Sequence, residues 1–120
     1  MAIEFEIDDR KIDDDTHCVA IVGEVDLFTA PEFKQRISAP IDAGVRTIVV
    51  DLSETTFIDS SSLGVLIGAH RRLKGRGGSL VVVCASEPIV KTFKITGLDG
   101  VFRIAPTLED ALDNGAVAAS

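Results

Sequence analysis

Tryptophan and tyrosine are missing from this chain, and basic residues are scarce: 12 Lys and Arg stand against 19 Asp and Glu, for a formal charge of −7 at pH 7. Nucleic-acid binders hold phosphates with Lys and Arg clusters, often interleaved with stacking aromatics. Neither feature is present, so no nucleic-acid partner is expected. Long apolar runs are missing too. No stretch approaches the ~18 residues needed to cross a bilayer, and no membrane partner is expected. The opening "MAIEFEIDDRK" alternates, where a secretory signal would place a basic region before an apolar block. The expected location is the cytoplasm. Cysteine occurs only twice. Cys18 and Cys84 lie far apart, each inside an apolar run, and read as reduced core thiols. No metal-ligand spacing is found, and no cofactor is expected.

The remainder is ordinary globular material, 46% hydrophobic and 26% charged, and its 120 residues suffice for one core but not two. In "IEFEIDD", Ile3, Phe5 and Ile7 alternate with Glu4, Glu6 and Asp8, which predicts a half-buried strand. "HCVAIVGE" reads as a second strand, buried on both faces and joined to the first through "DDDT" as an antiparallel hairpin. "TAPEFKQRI" predicts a helix with Thr29 as N-cap, Pro31 in the first turn and Glu32 completing a capping box; Pro40 should break it. "RTIVVDLS" is a buried strand. "LGVLIGAHRRLKGRG" is a helix ended by Gly75, Gly77 and Gly78, and "SLVVVCA" is another buried strand. A short helix in "EPIVKTFKITG", a strand in "VFRIA" and a helix in "TLEDALDNG" complete the order ββαβαβαβα. "AVAAS" (116–120) reads as a disordered tail on a domain spanning 1–115. Val- and Ile-rich strands separated by helices imply the α/β class: a mixed, mostly parallel sheet with packed helices and an antiparallel amino-terminal edge.

Catalytic constellations are scarce. His70 follows Ser61 by nine residues. On one helix the rise alone separates them by about 13 Å, out of reach for a nucleophile and its base. His17 starts a strand beside an acidic turn and reads as a solvated side chain. Ser61 has Asp59 where a G-x-S-x-G elbow needs glycine. "KGRGGS" follows a helix, whereas a phosphate-cradling loop precedes one. The run from Asp13 to Asp15 lacks the spacing and terminal Glu of an EF-hand and reads as a solvated turn. An enzyme is not expected; a small serine hydrolase or nucleotide-binding enzyme is the remote alternative.

The informative stretch is "FIDSSSLG", residues 57–64. It belongs to the loop "SETTFIDSSS", which leads from a buried strand into a helix. That places it at the carboxyl end of the sheet, where open α/β folds build their sites. Asp59 or Ser60 suits the cap, leaving the next serines in the first turn. There, free N–H groups and the positive end of the helix dipole favour an added anion. A phosphoserine would bring about −1.5 to −2 charges beside Asp59 without unfolding the domain. Along the helix, Leu63, Leu66, Ile67 and Leu73 suit the core face. Ser61, Gly64, Val65, Gly68 and Arg72 form a second stripe at spacings of three and four. Glycine costs roughly 1 kcal/mol against alanine inside a helix, so Gly64 and Gly68 ask for a reason. Approach of a partner's backbone is one and close packing within the protein is the other; the sequence weighs them equally.

The stretch "VVDLSETTFIDSSSLGVLIGAHRRL", with "GEVD" (23–26) upstream, closely resembles the STAS domains of bacterial anti-sigma factor antagonists. The resemblance covers nearly the whole chain in the same element order. The family's motif is Asp-Ser-Ser-Gly-Leu-Gly at the helix entry, preceded by Asp-x-Ser. Asp51, Leu52 and Ser53 match the latter; Asp59, Ser60, Ser61, Leu63 and Gly64 match the former. "GLDGVF" and "TLEDAL" look like the family's carboxyl end. The resemblance implies a protein that binds an anti-sigma factor and so frees a sigma factor for transcription.

It implies further that the anti-sigma factor is commonly a serine kinase, and that a metal-dependent Ser/Thr phosphatase reverses its action. The phosphorylated residue would be the second serine of the motif, Ser61, with Ser60 and Ser62 as secondary candidates. Ser62 stands where the family has glycine, and its hydroxymethyl group would crowd a kinase or offer it a second acceptor. Glu24 and Asp26 match the family's Gly-Glu-x-Asp segment, near the phosphorylation site and part of the partner surface. The expected partner surface is Glu24, Asp26, Asp59, Ser60, Ser61, Ser62, Gly64, Val65, Gly68 and Arg72, on a monomer or weak dimer. STAS domains also serve as scaffolding in sensory assemblies and as small subunits of lipid transporters, which is the alternative role.

Overall fold

Residues 5–112 are described by the structure, a computed structural model. β1 (Phe5–Lys11) and β2 (Thr16–Val25) form the expected antiparallel hairpin, with Phe5 opposite Gly23 and Lys11 opposite His17. There follow α1 (Ala30–Asp42), β3 (Thr47–Ile58), α2 (Ser60–Lys74), β4 (Ser79–Val83), α3 (Glu87–Ile95), a 3-10 turn (Leu98–Gly100) and β5 (Arg103–Ala105). Residues 108–112 are helical. What the sequence suggests for Ile3, for the rest of the last helix and for the tail at 116–120 lies outside the described residues.

The strands lie in chain order, β1-β2-β3-β4-β5, and are parallel from β2 onward. Crossovers of one hand between consecutive neighbours put their helices on one face. Accordingly Phe33 and Ile37 of α1, Leu66 and Leu73 of α2, and Ile89 and Phe93 of α3 pack against Val19, Ile21, Ile48, Val50, Leu80 and Val82. The alternate strand residues Cys18, Val49, Val81 and Val83 face the other way, beneath Leu108, Ala111 and Leu112. This second cover stops short of the middle of β2, where Ala20 and Val22 are only partly buried. β2 is therefore covered along one face, not both as its apolar run suggests. Cys18 and Cys84 are free thiols, one in each cluster.

The segment 53–58, which reads as loop, continues β3 as a strand to Ile58. Pairing steps from Ala20–Asp51 to Val22–Glu54, and again from Gly23–Thr55 to Glu24–Phe57, so β3 carries one residue more than β2 at each step. These are β-bulges, and side chains take up the backbone groups that the ladder drops there. Asp51 Oδ1 accepts the backbone N–H (2.9 Å) and the hydroxyl (2.6 Å) of Ser53. Buried Thr55 donates its hydroxyl to the carbonyl of Ile21 at 2.9 Å. Gly23, with φ of +98°, sits at the second bulge in a conformation other residues rarely adopt.

Pro40 does not end α1, which runs on to Asp42. The proline falls in the last turn, where it forfeits a single i→i−4 bond while burying its ring. His17 is not solvated: its side chain is 17% exposed, with Nε2 3.3 Å from Asp9 Oδ1. Arg36 of α1 donates to the other oxygen of Asp9 at 2.6 Å, which ties the hairpin to the helix layer. That Arg36 bond holds the Asp9 carboxyl below its usual 3.8, against the opposing effect of burial and with further help from His17.

Candidate functional site

Asp59 alone separates β3 from α2, and it has both the backbone and the side chain of an N-cap. Its φ and ψ are extended (−130°, −172°), and its Oδ1 accepts the N–H groups of Ser61 (2.9 Å) and Ser62 (3.2 Å). Ser62 completes a capping box, its hydroxyl accepting the Asp59 N–H at 3.0 Å. The same hydroxyl donates to the carbonyl of Val25, the last residue of β2, at 2.9 Å. Ser62 is 1% exposed. The side chain therefore neither crowds an approach to Ser61 nor stands open as an acceptor, which corrects both expectations for it. Within the expected partner surface, Ser62 is a support beneath its neighbours. Ser60 is exposed and Ser61 partly so, and neither hydroxyl is hydrogen-bonded among the described residues. Both lie in the first turn, at the positive end of the helix.

The acidic turn between β2 and α1 runs alongside, since Val25 pairs with Ile58 and Glu24 with Phe57. Glu24 is exposed. Asp26 is engaged within the protein: its Oδ1 accepts the N–H groups of Phe28 (2.9 Å) and Thr29 (3.1 Å). Thr29 Oγ1 accepts the Asp26 N–H at 2.8 Å in return. This reciprocal pair displaces the capping box expected from Thr29 and Glu32. Thr29 already has helical φ and ψ (−97°, −15°) and makes no cap bond, because its hydroxyl is turned back towards Asp26. The turn leaves Leu27 and Phe28 exposed by 68% and 88%. Neither residue stood out in the sequence, although two large apolar side chains between an aspartate turn and Pro31 fit no core periodicity.

Along α2, the stripe of Ser61, Gly64, Val65, Gly68 and Arg72 lines a single groove of about 440 Å³. Lys34, Ile37, Ser38 and Ile41 of α1 form its other side. Arg72 crosses it to an ion pair with Asp42. A Cβ added at Gly64 or Gly68 would meet nothing within 4 Å, and both positions are exposed. Close packing within the protein is therefore not the reason for these glycines. Leu63, Leu66 and Leu73 are buried as expected, joined by Ala69, while Ile67 packs at the margin of the core.

Groups suited to acid–base chemistry stand apart from these serines. His17 lies at the start of β2, whereas the serines lie beyond its far end. His70 sits edge-on to Phe102 with ring centroids 5.4 Å apart. Burial, and then the charge of Lys74, lowers its pKa. In the turn between β1 and β2, Asp13 Oδ1 accepts the Asp15 N–H at 2.8 Å, an Asx turn. Among the described residues, no group of three or more His, Cys, Asp or Glu is placed to hold a metal ion. No helix among them is long and apolar enough to cross a membrane.

The STAS domain family model matches residues 7–111. Over 105 residues the chain is 34% identical to the anti-sigma-B factor antagonist of Listeria monocytogenes, spanning 87% of this chain and 90% of that one. Its structure is similar to that of an anti-sigma factor antagonist from Mycobacterium paratuberculosis, with a TM-score of 0.85, 31% identity and coverage of 92% and 93%. It is similar as well to the Bacillus cell fate determinant SpoIIAA in the phosphorylated form, with a TM-score of 0.71, 28% identity and coverage of 92% and 97%.

Proposed function

This chain belongs to the STAS domain family, and from that premise we propose that it is an anti-sigma factor antagonist, binding an anti-sigma factor and so releasing a sigma factor for transcription. The anti-sigma factor is a serine kinase that switches the antagonist off by phosphorylating Ser61, and a Ser/Thr phosphatase restores it. The free protein is a cytoplasmic monomer or weak dimer with no catalysis of its own. The observation that carries this reading is the division of labour among three adjacent serines. Ser62 is buried and hydrogen-bonded to Asp59 and Val25. Ser61, the motif's second serine, is left accessible in the first turn of α2. SpoIIAA, a relative of the same fold, has a phosphorylated form.

The same charge acts differently on the fold and on the complex. A phosphate in the first helical turn gains about 0.3–1 kcal/mol from the helix dipole, so the free domain tolerates it. Closing an interface over that anion strips its water, at an effective cost of several kcal/mol. Phosphorylation thus spares the fold and dismantles the complex.

Titration calorimetry against the anti-sigma factors of its own organism tests the reading. Wild type and Ser61→Ala bind one of them equally well, and only wild type accepts radiolabelled phosphate from ATP. Ser61→Asp binds about 10-fold more weakly or worse. Equal affinities for wild type and Ser61→Asp would remove the switch. No binding to any anti-sigma factor would remove the function itself.

A further inference from the structure

Leu27 and Phe28 are unexplained by the serine switch. Scattered apolar side chains are common on protein surfaces, but two adjoining ones exposed by 68% and 88% are not. Nor is the turn that carries them loose. Asp26 holds the N–H groups of Phe28 and Thr29, Thr29 holds the Asp26 N–H, and the Ala30 N–H bonds to the Asp26 carbonyl at 2.8 Å. The residue before the turn, Val25, accepts the hydroxyl of Ser62 through its carbonyl. A braced turn therefore presents two apolar side chains at the same end of the sheet as the accessible Ser61. The turn and the strand end beside it are acidic, and the cations Lys34 and Arg72 lie farther along, in the groove between α1 and α2. Segments 24–33 and 53–63, which build this end of the sheet, contain Glu24, Asp26, Glu32, Glu54 and Asp59 and no Lys or Arg.

We propose that Leu27 and Phe28 are the apolar anchor of the complex, seated in an apolar pocket with a basic rim on the anti-sigma factor, and that Asp26 is the positioning residue that presents them. The inference rests on the reading of the chain as an antagonist. A turn already fixed in the free protein loses little entropy on binding. An aromatic side chain in a desolvated pocket, ringed by polar contacts, is the usual centre of an interface. Basic groups on the rim answer the carboxylates that surround the turn. Since those carboxylates already match the rim, a phosphate on Ser61 adds charge for which the partner has no counterpart. Glu24, exposed and with a carboxylate that makes no hydrogen bond or ion pair among the described residues, meets the rim directly. Asp26 acts through Phe28.

The test is titration calorimetry with the anti-sigma factor that the wild-type chain binds. Phe28→Ala lowers the affinity about 30-fold or more. Ile95→Ala, which removes a comparably exposed residue from α3 (74%), leaves it unchanged. Both variants keep the wild-type melting temperature, because neither side chain is packed. Asp26→Ala weakens binding and Asp26→Asn, which keeps the acceptor oxygen, restores it; a direct charge contact would leave Asn as poor as Ala. Raising the salt concentration weakens the complex, as matched surface charges require. Wild-type affinity in Phe28→Ala would overturn the anchor, equal loss in both Asp26 variants would overturn the positioning role, and salt-strengthened binding would overturn the basic rim. A wild-type chain that binds no anti-sigma factor overturns the functional reading and this inference together, an outcome distinct from all of these.

Discussion

Replacing Gly64 and Gly68 with alanine makes this protein more stable and a poorer partner. Both glycines lie in the interior of α2, exposed, with nothing within 4 Å of an added Cβ. Alanine is favoured over glycine by about 0.8–1.0 kcal/mol per helical site, in large part because it restricts the unfolded chain. No steric term opposes this gain, since beyond the helix's own neighbouring backbone the added methyl groups meet nothing within 4 Å. The double variant therefore gains about 1.6–2 kcal/mol. At roughly 4 °C per kcal/mol for a domain of this size, its midpoint rises by about 6–8 °C. Urea titration followed by far-UV circular dichroism measures the gain, with an unchanged m-value showing that the unfolding reaction is the same one. The groove responds in the opposite sense. Two methyl groups in a fitted interface cost about 1–3 kcal/mol, so the affinity for the anti-sigma factor falls while the fold strengthens. An unchanged or lowered midpoint would refute the reasoning, because it would mean that the glycines serve the fold. A raised midpoint with full affinity would keep the stability argument and take the groove out of the interface.

Ser62→Ala leaves the Asp59 N–H and the Val25 carbonyl without a side-chain partner. It lowers the unfolding free energy in urea by about 1–3 kcal/mol, and a negligible loss would show that the start of α2 does not depend on it. Asp9→Asn alters the acid limb of stability. The native Asp9 carboxyl titrates below 3.8, so its contribution is complete above that value and is lost as pH falls through the native one. Stability curves of wild type and Asp9→Asn are offset at neutral pH and converge in strong acid, whereas parallel curves would exclude the Arg36 contact as the cause. Burial pushes the Cys84 thiol up to about 11, and burial followed by the charge of Asp51 raises that of Cys18. A disulfide reagent at neutral pH therefore labels both only in denaturant, since the thiolate is the reactive form; prompt labelling of the native protein would contradict both core clusters.

Element order and sheet class were legible because the strongest signals agreed. Phe5 and Ile7 alternate with acids, the Val and Ile runs are separated by helical spacings, and Gly75 closes α2 where its apolar stripe ends. The far half of β3 was not legible, because two bulges break the period of two and place polar Ser53, Glu54 and Thr56 together. What continues the strand there is side-chain bonding by Asp51 and Thr55, which no periodicity reports. The start of α1 departs from the expectation because the Thr29 hydroxyl accepts the N–H of Asp26 behind it and does not reach the N–H of Glu32 ahead. At the site, three serines of identical chemistry differ only in rotation about the helix. That difference was present in the spacing, since Ser62, Leu66, Ala69 and Leu73 follow one another at intervals of four, three and four. Ser62 thus lies on the core stripe, and a polar residue on that stripe is drawn to a buried carbonyl. Leu27 and Phe28 fit no core periodicity, but spacing alone does not separate an exposed apolar pair from a loop that folds back onto the core; their exposure does.

Strand order that follows chain order also divides the molecule in time. A chain growing from its amino terminus has every residue of the groove and the serine turn in hand once Lys74, the end of α2, has emerged. At that moment β3 has β2 on one side and nothing on the other, for β4 is still unmade. The Thr47 to Asp51 edge is then a bare template for another nascent chain. The carboxyl-terminal third contributes none of the residues in the candidate partner surface, and its first task in the life of the protein is to close that edge before a neighbour does.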